Sequence, residues 1–285
     1  MVKTGDQSRT AFLSDVHGNS PALRAVLNDV RQQQCSKLFV LGDIINGVDP
    51  HGCVEILRSF IRESGIEAVC IKGNAEAYLT APYRDYFGGK TDAWNLDILR
   101  RLEWFQAQLT ESDLDWICSL PDTIRWKDAL LVHDSPRDRV SVEAQTGIPP
   151  QFRELAFHGR GILPDMADAD WQALFDFMSK ERVAAVFSGH THQPLFREFG
   201  DRLVCNVGSA GMPLDGDSRA SWAFLTGFGS AKMSVSIRRV GYDVSSTLEM
   251  IDRARDLFET TGSRDAYKSM FVTGRYRREP LPRDS

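Results

Sequence analysis

The feature that most constrains this chain is a repeated arrangement in which a short, strand-like apolar run stops at Asp, His or Asn. RTAFL leads into Ser14-Asp15-Val16-His17, KLFVL into Gly42-Asp43, and IEAVCI into Lys72-Gly73-Asn74. Further along, ALLV leads into His133-Asp134 and RVAAVFS into Gly189-His190-Thr191-His192. Runs this short suit buried strands. After the first, Leu23, Val26, Leu27 and Val30 recur at helical spacing behind Ser20 and Pro21, read as a cap and a first-turn residue. After the second, Asp49-Pro50 opens a helix whose apolar face is Val54, Leu57, Phe60 and Ile61. Strands alternating with helices at this spacing predict a largely parallel sheet with helices on its faces.

The later segments read differently. Residues Thr91 to Leu120 look helical, with a capping box at Thr110 and Asp113 and a stop at Pro121. Periodicity is lost from Val140 to Asp170, where Gly147, Pro149, Pro150, Gly159, Gly161 and Pro164 predict a long surface excursion. Beyond the fifth run come short strands with tight turns: LFREFGDRLVCNVG as a hairpin around Gly200-Asp201, then SWAFLTGF and KMSVSIRRV. A helix from about Val244 to Thr260 and a polar tail close the chain. With no repeat and no linker, the expectation is a single domain over residues 1–285, its core at 9–240 and the helix and tail at 241–285.

Parallel strands present their carboxyl ends at one edge, where α/β proteins place ligands, so the five polar loops should converge. They would bring together Asp15, His17, Asp43, Asn74, His133, His190 and His192, four of the six histidines in the chain. Imidazole with carboxylate and amide oxygen suits manganese, iron or zinc better than magnesium or calcium. Seven donors exceed the needs of one ion, whereas two ions sharing Asp43 as a bridge use them all. Singly, a D-x-H is more often a capped loop and a Gly-Asn a turn; the ordered set carries the inference.

Other properties narrow the function. Lys and Arg number 34 against 39 Asp and Glu, a net charge of -5, which offers no general attraction to nucleic acid or an anionic membrane. No run approaches the roughly 18 apolar residues of a membrane span. The start, MVKTGDQSRT, lacks the apolar core of a secretion signal. Cys35, Cys53, Cys70, Cys118 and Cys205 show no C-x-x-C spacing and are expected to be thiols, mostly buried, of a cytoplasmic protein.

Together, SDVHGN, LGDIINGVDP, IKGNAE, LVHDS and SGHTHQP resemble the motif set of the calcineurin-like metallophosphoesterases, over about Arg9 to Val240. The resemblance implies an α/β fold, a four-layer α/β/β/α sandwich of two mixed β-sheets flanked by helices. It implies that Asp15, His17 and His192 hold one divalent ion, that Asp43 bridges, and that Asn74, His133 and His190 hold a second, manganese being the first choice. Asp43, Asn74 and His133 would serve catalysis. CNVGSAGMPLDGDSRASWAFL is similar to a segment of the small prokaryotic branch, which implies a phosphodiesterase in which a metal-bridging hydroxide attacks phosphorus of a small phosphoester. The alternatives are a degenerate scaffold or regulatory protein of the same fold, or a nuclease or dinucleotide polyphosphate hydrolase. Nucleic acid is the less favoured partner, no membrane is expected, and a homo-oligomer is left open.

Two departures matter. IINGVDP follows Gly42-Asp43, unlike the Asp and Arg of the protein phosphatases. Ala75 follows Asn74 where relatives carry a His thought to protonate the leaving oxygen or hold the phosphate. The expectation is a preference for diesters with aryl, nucleoside or phosphate leaving groups, and a His at position 75 should restore the donor. His158 with Arg160 could stand in, although a surface histidine is the blander reading, as it is for His51. Glu76 fills the acidic slot and is expected to orient a ligand. Asp215 and Arg219 either line the phosphate pocket or pair across a turn.

Overall fold

The computed structural model describes residues 8–80, 93–134, 161–230, 233–258 and 260–276. Its strands form two five-stranded mixed sheets. The first contains β1 (Arg9–Leu13), β2 (Lys37–Val40), β3 (Glu67–Cys70), β9 (Ala220–Thr226) and β10 (Ser234–Val240), ordered β10-β9-β1-β2-β3. The second contains β4 (Ile124–Trp126), β5 (Ala129–Leu131), β6 (Ala185–Ser188), β7 (Leu195–Phe199) and β8 (Arg202–Asn206), ordered β4-β5-β6-β8-β7. In the first sheet β1, β2 and β3 run parallel and β9 pairs antiparallel with both β1 and β10 on one side; in the second β5, β6 and β8 run parallel between antiparallel β4 and β7. The single parallel sheet expected from alternation is thus two half-parallel sheets, in agreement with the implied sandwich.

Strand periodicity builds the layers, because successive side chains point to opposite faces. Phe12, Phe39 and Leu41 meet Leu131, Phe187 and Cys205 between the sheets. There Phe12 and Phe187 stack with ring centroids 3.9 Å apart. Their neighbours Ala11, Leu13, Leu38 and Val40 point outward instead, under α1 (Ser20–Gln32) and α2 (Pro50–Glu63). On the other outer face, Val186 and Val204 pack beneath Trp171, Leu174, Phe175 and Met178 of a helix over Asp168–Lys180. The order is therefore helix, sheet, sheet, helix.

Helix starts follow local chemistry, with some corrections. The N-cap of α1 is Asn19, one residue before the expected Ser20, and its side chain accepts the Ala22 N–H. Asp49 caps α2 through the Gly52 N–H. Asn74 opens a short helix, α3 (Asn74–Thr80), instead of lying in a loop. The stretch before Pro121 is two helices, α4 (Ala93–Gln108) and α5 (Glu111–Ser119), the second begun by the expected Thr110–Asp113 capping box. The helix over Asp168–Lys180 is α6.

At the C-terminus, the expected single helix stops early, as α7 (Val244–Arg253), followed by a 3-10 turn at Arg255–Leu257. The expected polar tail contains another helix, α8 (Thr261–Thr273), because Tyr267, Met270 and Phe271 give it a buried stripe. Strand β4 was also unanticipated.

Asp29 on α1 clamps that helix to the first sheet. It accepts bonds from Trp222 Nε1 at 3.0 Å on β9 and from Arg238 Nε and Nη2 at 2.8 and 3.0 Å on β10. Burial works against the Asp29 charge, but these bonds outweigh it and hold the carboxyl below its usual value. Its stabilising contribution is therefore complete at neutral pH and fades as acid titrates it below about pH 4. Asp29→Ala should lower unfolding free energy at pH 7 by about 1–3 kcal/mol in urea titrations, with a smaller loss at pH 3. A pH-independent loss would contradict the charge-assisted clamp.

Candidate metal centre

The parallel strands of both sheets run toward the same edge, and the loops that leave them there interlock. Asp15 N–H donates to Gly42 C=O at 3.0 Å, His17 N–H to Asp43 C=O at 2.9 Å, and Gly189 N–H to His133 C=O at 2.9 Å. Asp15, His17, Asp43, His133 and His192 are all buried, and His190 and Asn74 are half-buried beside them. The expected set of seven therefore converges at the shared edge.

Backbone carbonyls aim three of the imidazoles. His17 Nδ1 lies 2.9 Å from Asn46 C=O, His133 Nδ1 2.7 Å from Leu41 C=O, and His192 Nδ1 2.6 Å from Met212 C=O. A carbonyl only accepts, so each Nδ1 carries a proton and each Nε2 is turned inward, where its lone pair is available to a cation. The Nε2 atoms of His17 and His192 then face each other at 2.9 Å. Asn74 Oδ1 is 3.1 Å from both His133 Nε2 and His190 Nδ1. Asp15 Oδ1 is fully buried without a hydrogen-bond partner, and sits 3.4–4.0 Å from Nε2 of His192, His17 and His133. Imidazole nitrogens, an amide oxygen and carboxylate oxygens converging in this way suit a cation.

Two sets of side chains could each hold an ion: Asp15, His17 and His192, and Asp15, Asp43 and His133. The Asp43 carboxylate faces both ways, with Oδ2 3.6 Å from His17 Nε2 and Oδ1 3.6 Å from His133 Nε2. Asp15 Oδ1 belongs to both sets, a sharing the sequence did not suggest.

Burial opposes the charge on His133, but Asp43 and Asp15 outweigh it and raise its pKa to about 9. His192 is likewise raised, burial being overcome by Asp15. His190 falls to about 4, through burial and the charge on His133. Burial disfavours the Asp15 carboxylate, yet His192 and His17 hold its carboxyl well below the ordinary range. The centre thus keeps its negative charge and compensates it with positive charge, a role open to a bound cation.

Glu76 does more than orient one ligand. Its Oε2 accepts the N–H groups of Asp43 and Gly73, both at 2.8 Å, and its Oε1 those of Ile44 and Ile45 at 2.7 and 3.1 Å. One buried carboxylate therefore ties the β2 loop to the β3 loop. Burial and the nearby Asp43 charge push its pKa up to about 7, while the N–H donors pull against them. A Cβ at Gly73 would collide with Asp43 N and Oδ1, so only glycine fits this junction.

Several positions depart from expectation. Ala75 is 2% exposed and belongs to the apolar cluster of Ile44, Ile45 and Leu57, so its side chain is core. Only its backbone reaches the centre, donating to Asp43 Oδ1 at 2.8 Å. A His at 75 would thus overpack that core, which corrects the expected rescue. Asp215 pairs with Arg239 on β10, not with Arg219, whereas Arg219 pairs with Asp217 within the turn, so the expected Asp215–Arg219 pair is replaced by two others. His51 is half-exposed but bonded to Asp113 at 2.7 Å, joining α2 to α5. His158 and Arg160 lie outside the described residues.

Sequence reading missed the groups that aim the ligands. The Asn46, Leu41 and Met212 carbonyls carry no side-chain signal. Asn206 could have been found from its place at the end of β8: its Nδ2 donates to Gly189 C=O at 2.7 Å and Thr191 Oγ1 at 2.9 Å, fixing the G-H-T-H loop.

A two-sheet sandwich with Asp, Asn and His side chains gathered at its common strand edge is the architecture of a metallophosphoesterase. The family model for a calcineurin-like phosphoesterase superfamily domain matches residues 9–226, and the chain belongs to that family. It is 28% identical over 270 residues to an uncharacterized protein of Methanocaldococcus jannaschii, covering 87% of this chain and 94% of that one. The fold is similar to that of a metallophosphoesterase from Sphaerobacter thermophilus, at TM-score 0.61 and 24% identity, over 94% of this chain and 100% of the other. It is also similar to a hypothetical protein from Pyrococcus horikoshii OT3, at TM-score 0.68 and 18% identity, over 88% and 95% of the two chains.

Two outcomes follow for the junction. Glu76→Gln turns an amide nitrogen toward two backbone donors and should cost about 2–3 kcal/mol in chemical denaturation of the chelator-treated protein; a loss below about 0.5 kcal/mol would be at odds with the tie. Ala75→His should cost about 1–3 kcal/mol by overpacking, and a variant as stable as the parent would show that the side chain has another place to go.

Proposed function

We propose that this protein is a metal-dependent phosphodiesterase with a dinuclear centre, hydrolysing P–O bonds of small phosphoesters in the cytoplasm. The observation that carries the reading is the Asp43 carboxylate, whose oxygens face different imidazoles, His17 and His133. Asp15, His17 and His192 would hold one divalent ion, and Asn74, His133 and His190 the other. Imidazole, carboxylate and amide donors favour manganese, iron or zinc, with manganese our first choice. Such a pair, when bound, supplies Lewis acidity toward the phosphoryl group and lowers the pKa of water from about 15.7 toward 7.

The chain's own part is arrangement. Asp43 offsets the repulsion between neighbouring cations. The carbonyls of Asn46, Leu41 and Met212 fix His17, His133 and His192 before any substrate arrives, so little reorganisation remains for the reaction. Position 75 contributes a backbone donor to Asp43 and no acid to the leaving oxygen. General-acid help is worth about 10²- to 10⁴-fold, so without it from this position, substrates whose leaving groups depart as stable anions are favoured. That selects aryl, nucleoside or phosphate leaving groups over simple alkyl ones. No helix among the described residues is long and apolar enough to cross a membrane.

The test is turnover by the manganese-loaded protein. Bis(p-nitrophenyl) phosphate should be cleaved faster than p-nitrophenyl phosphate, and rates across aryl diesters should fall steeply as leaving-group pKa rises. Asp43→Asn should abolish hydrolysis while the fold, followed by circular dichroism, persists. Undiminished turnover in that variant would sink the bridge, and a shallow leaving-group slope would show that another acid does the protonation.

A further inference from the structure

The C-terminal helices α7 and α8 lie beyond the matched span of 9–226, yet they reach the loop that aims His192. Three contacts make the connection. Thr247 of α7 is fully buried, and its Oγ1 lies 2.9 Å from Asn19 Oδ1 and 3.5 Å from Asp243 C=O, the longer and weaker option. Asn19, also fully buried, donates through Nδ2 to Gly211 C=O at 2.7 Å. The next residue is Met212, whose carbonyl takes the His192 Nδ1 proton at 2.6 Å.

The second contact is apolar: Met212 and Leu214 pack on Ile251, Tyr267, Met270 and Phe271 of the two helices. The third closes the far end of the loop, where Gly216 N–H donates to Gly274 C=O at 2.7 Å. Gly274 ends α8 in a left-handed conformation, φ 62°, and a Cβ there would stand 2.9 Å from the Asp217 and Ser218 backbone. The same loop grips the other side of the centre. Gly211 N–H donates to Asp15 C=O at 3.0 Å, and Ser209 Oγ donates to it at 2.7 Å while accepting the Met212 N–H at 2.7 Å.

We infer that α7 and α8 are a positioning unit for the ion held by Asp15, His17 and His192, with Thr247 as the residue that transmits the hold through Asn19. The inference rests on the proposed dinuclear centre. It predicts an asymmetry that a general stabilising role does not. His133 and Asn74 hang from β5 and α3, and His133 is aimed by the Leu41 carbonyl, so the second ion is tied to the C-terminal helices less directly, through the shared Asp15 and the packing of Tyr78 and Leu79 near Ala254 and Leu257.

The test uses the full chain and MnCl2 alone, followed by calorimetry and by the EPR signal of free Mn²⁺. His192→Ala and His133→Ala identify which binding phase belongs to which ion. Thr247→Val removes the hydroxyl at nearly constant volume and should weaken the His192-side ion by about three- to tenfold, the range expected for losing a buried bond that supports a metal ligand. The His133-side ion, which shares only Asp15 with that loop, should be weakened distinctly less. Thr247→Ser should restore wild-type binding, and Gly274→Ala should repeat the loss, again larger at the His192 side, from the other end of the loop. Unchanged binding in Thr247→Val, or equal weakening of both ions, would overturn the positioning role while leaving the dinuclear reading intact. A wild-type chain that binds no manganese would remove the reading and this inference with it.

Discussion

The structure depends on a juxtaposition that is unfavourable by itself. Nε2 of His17 and Nε2 of His192 face each other at 2.9 Å, next to an Asp15 oxygen buried without a donor. Lone pairs and a carboxylate buried together repel unless positive charge lies among them. Much of the surrounding structure serves to hold them there. Asp15, His17, Asp43, His190 and His192 all adopt left-handed backbone angles, with φ between 48° and 71°. Non-glycine residues hold such angles at a cost of about 1–3 kcal/mol each, and only where the surroundings over-determine them. Here the surroundings are the interlocked strand-end loops, the carbonyl acceptors and the Glu76 carboxylate.

The sandwich is what makes this possible. Each sheet alone would present its parallel strand ends in a row, too spread for side chains to meet around one point. Packing Phe12 and Phe39 against Phe187 sets the parallel strands of the two sheets face to face. The loops of β1, β2 and β3 then oppose those of β5, β6 and β8. Helices anchor two of these loops directly: α1 is capped by Asn19, just after His17 and Gly18, and α3 begins at Asn74 itself. Asn19 has a double duty, capping α1 and joining the β1 loop to Gly211.

The residues of the centre were legible because their types are costly to bury and recur after each apolar run. Asp15, His17, Asp43, Asn74, His133, His190 and His192 could be gathered from that pattern alone, and the structure brings them together. Their orientation was not legible, since it is set by the carbonyls of Leu41, Asn46 and Met212, which any residue supplies. Position 75 shows the limit most clearly. An alanine after Gly73-Asn74 reads as a missing catalytic side chain, but the helix begun at Asn74 turns that side chain toward Ile44 and Ile45. For α8 the signal was present: Thr260 and Ser263 form a capping box ahead of Tyr267, Met270 and Phe271 at helical spacing. The polar residues between them masked it. α7 ends at Ala254 with neither glycine nor proline to mark the stop.

The central claim, that these strand ends form one site for two ions bridged by Asp43, is tested most directly by anomalous diffraction from crystals of the manganese-loaded protein. The account predicts two peaks about 3.5–4 Å apart, the spacing of two-metal hydrolytic sites. One should touch Asp15, His17 and His192, the other Asn74, His133 and His190, with Asp43 in contact with both. A single peak at saturating manganese, or a pair in which Asp43 touches only one, would contradict it.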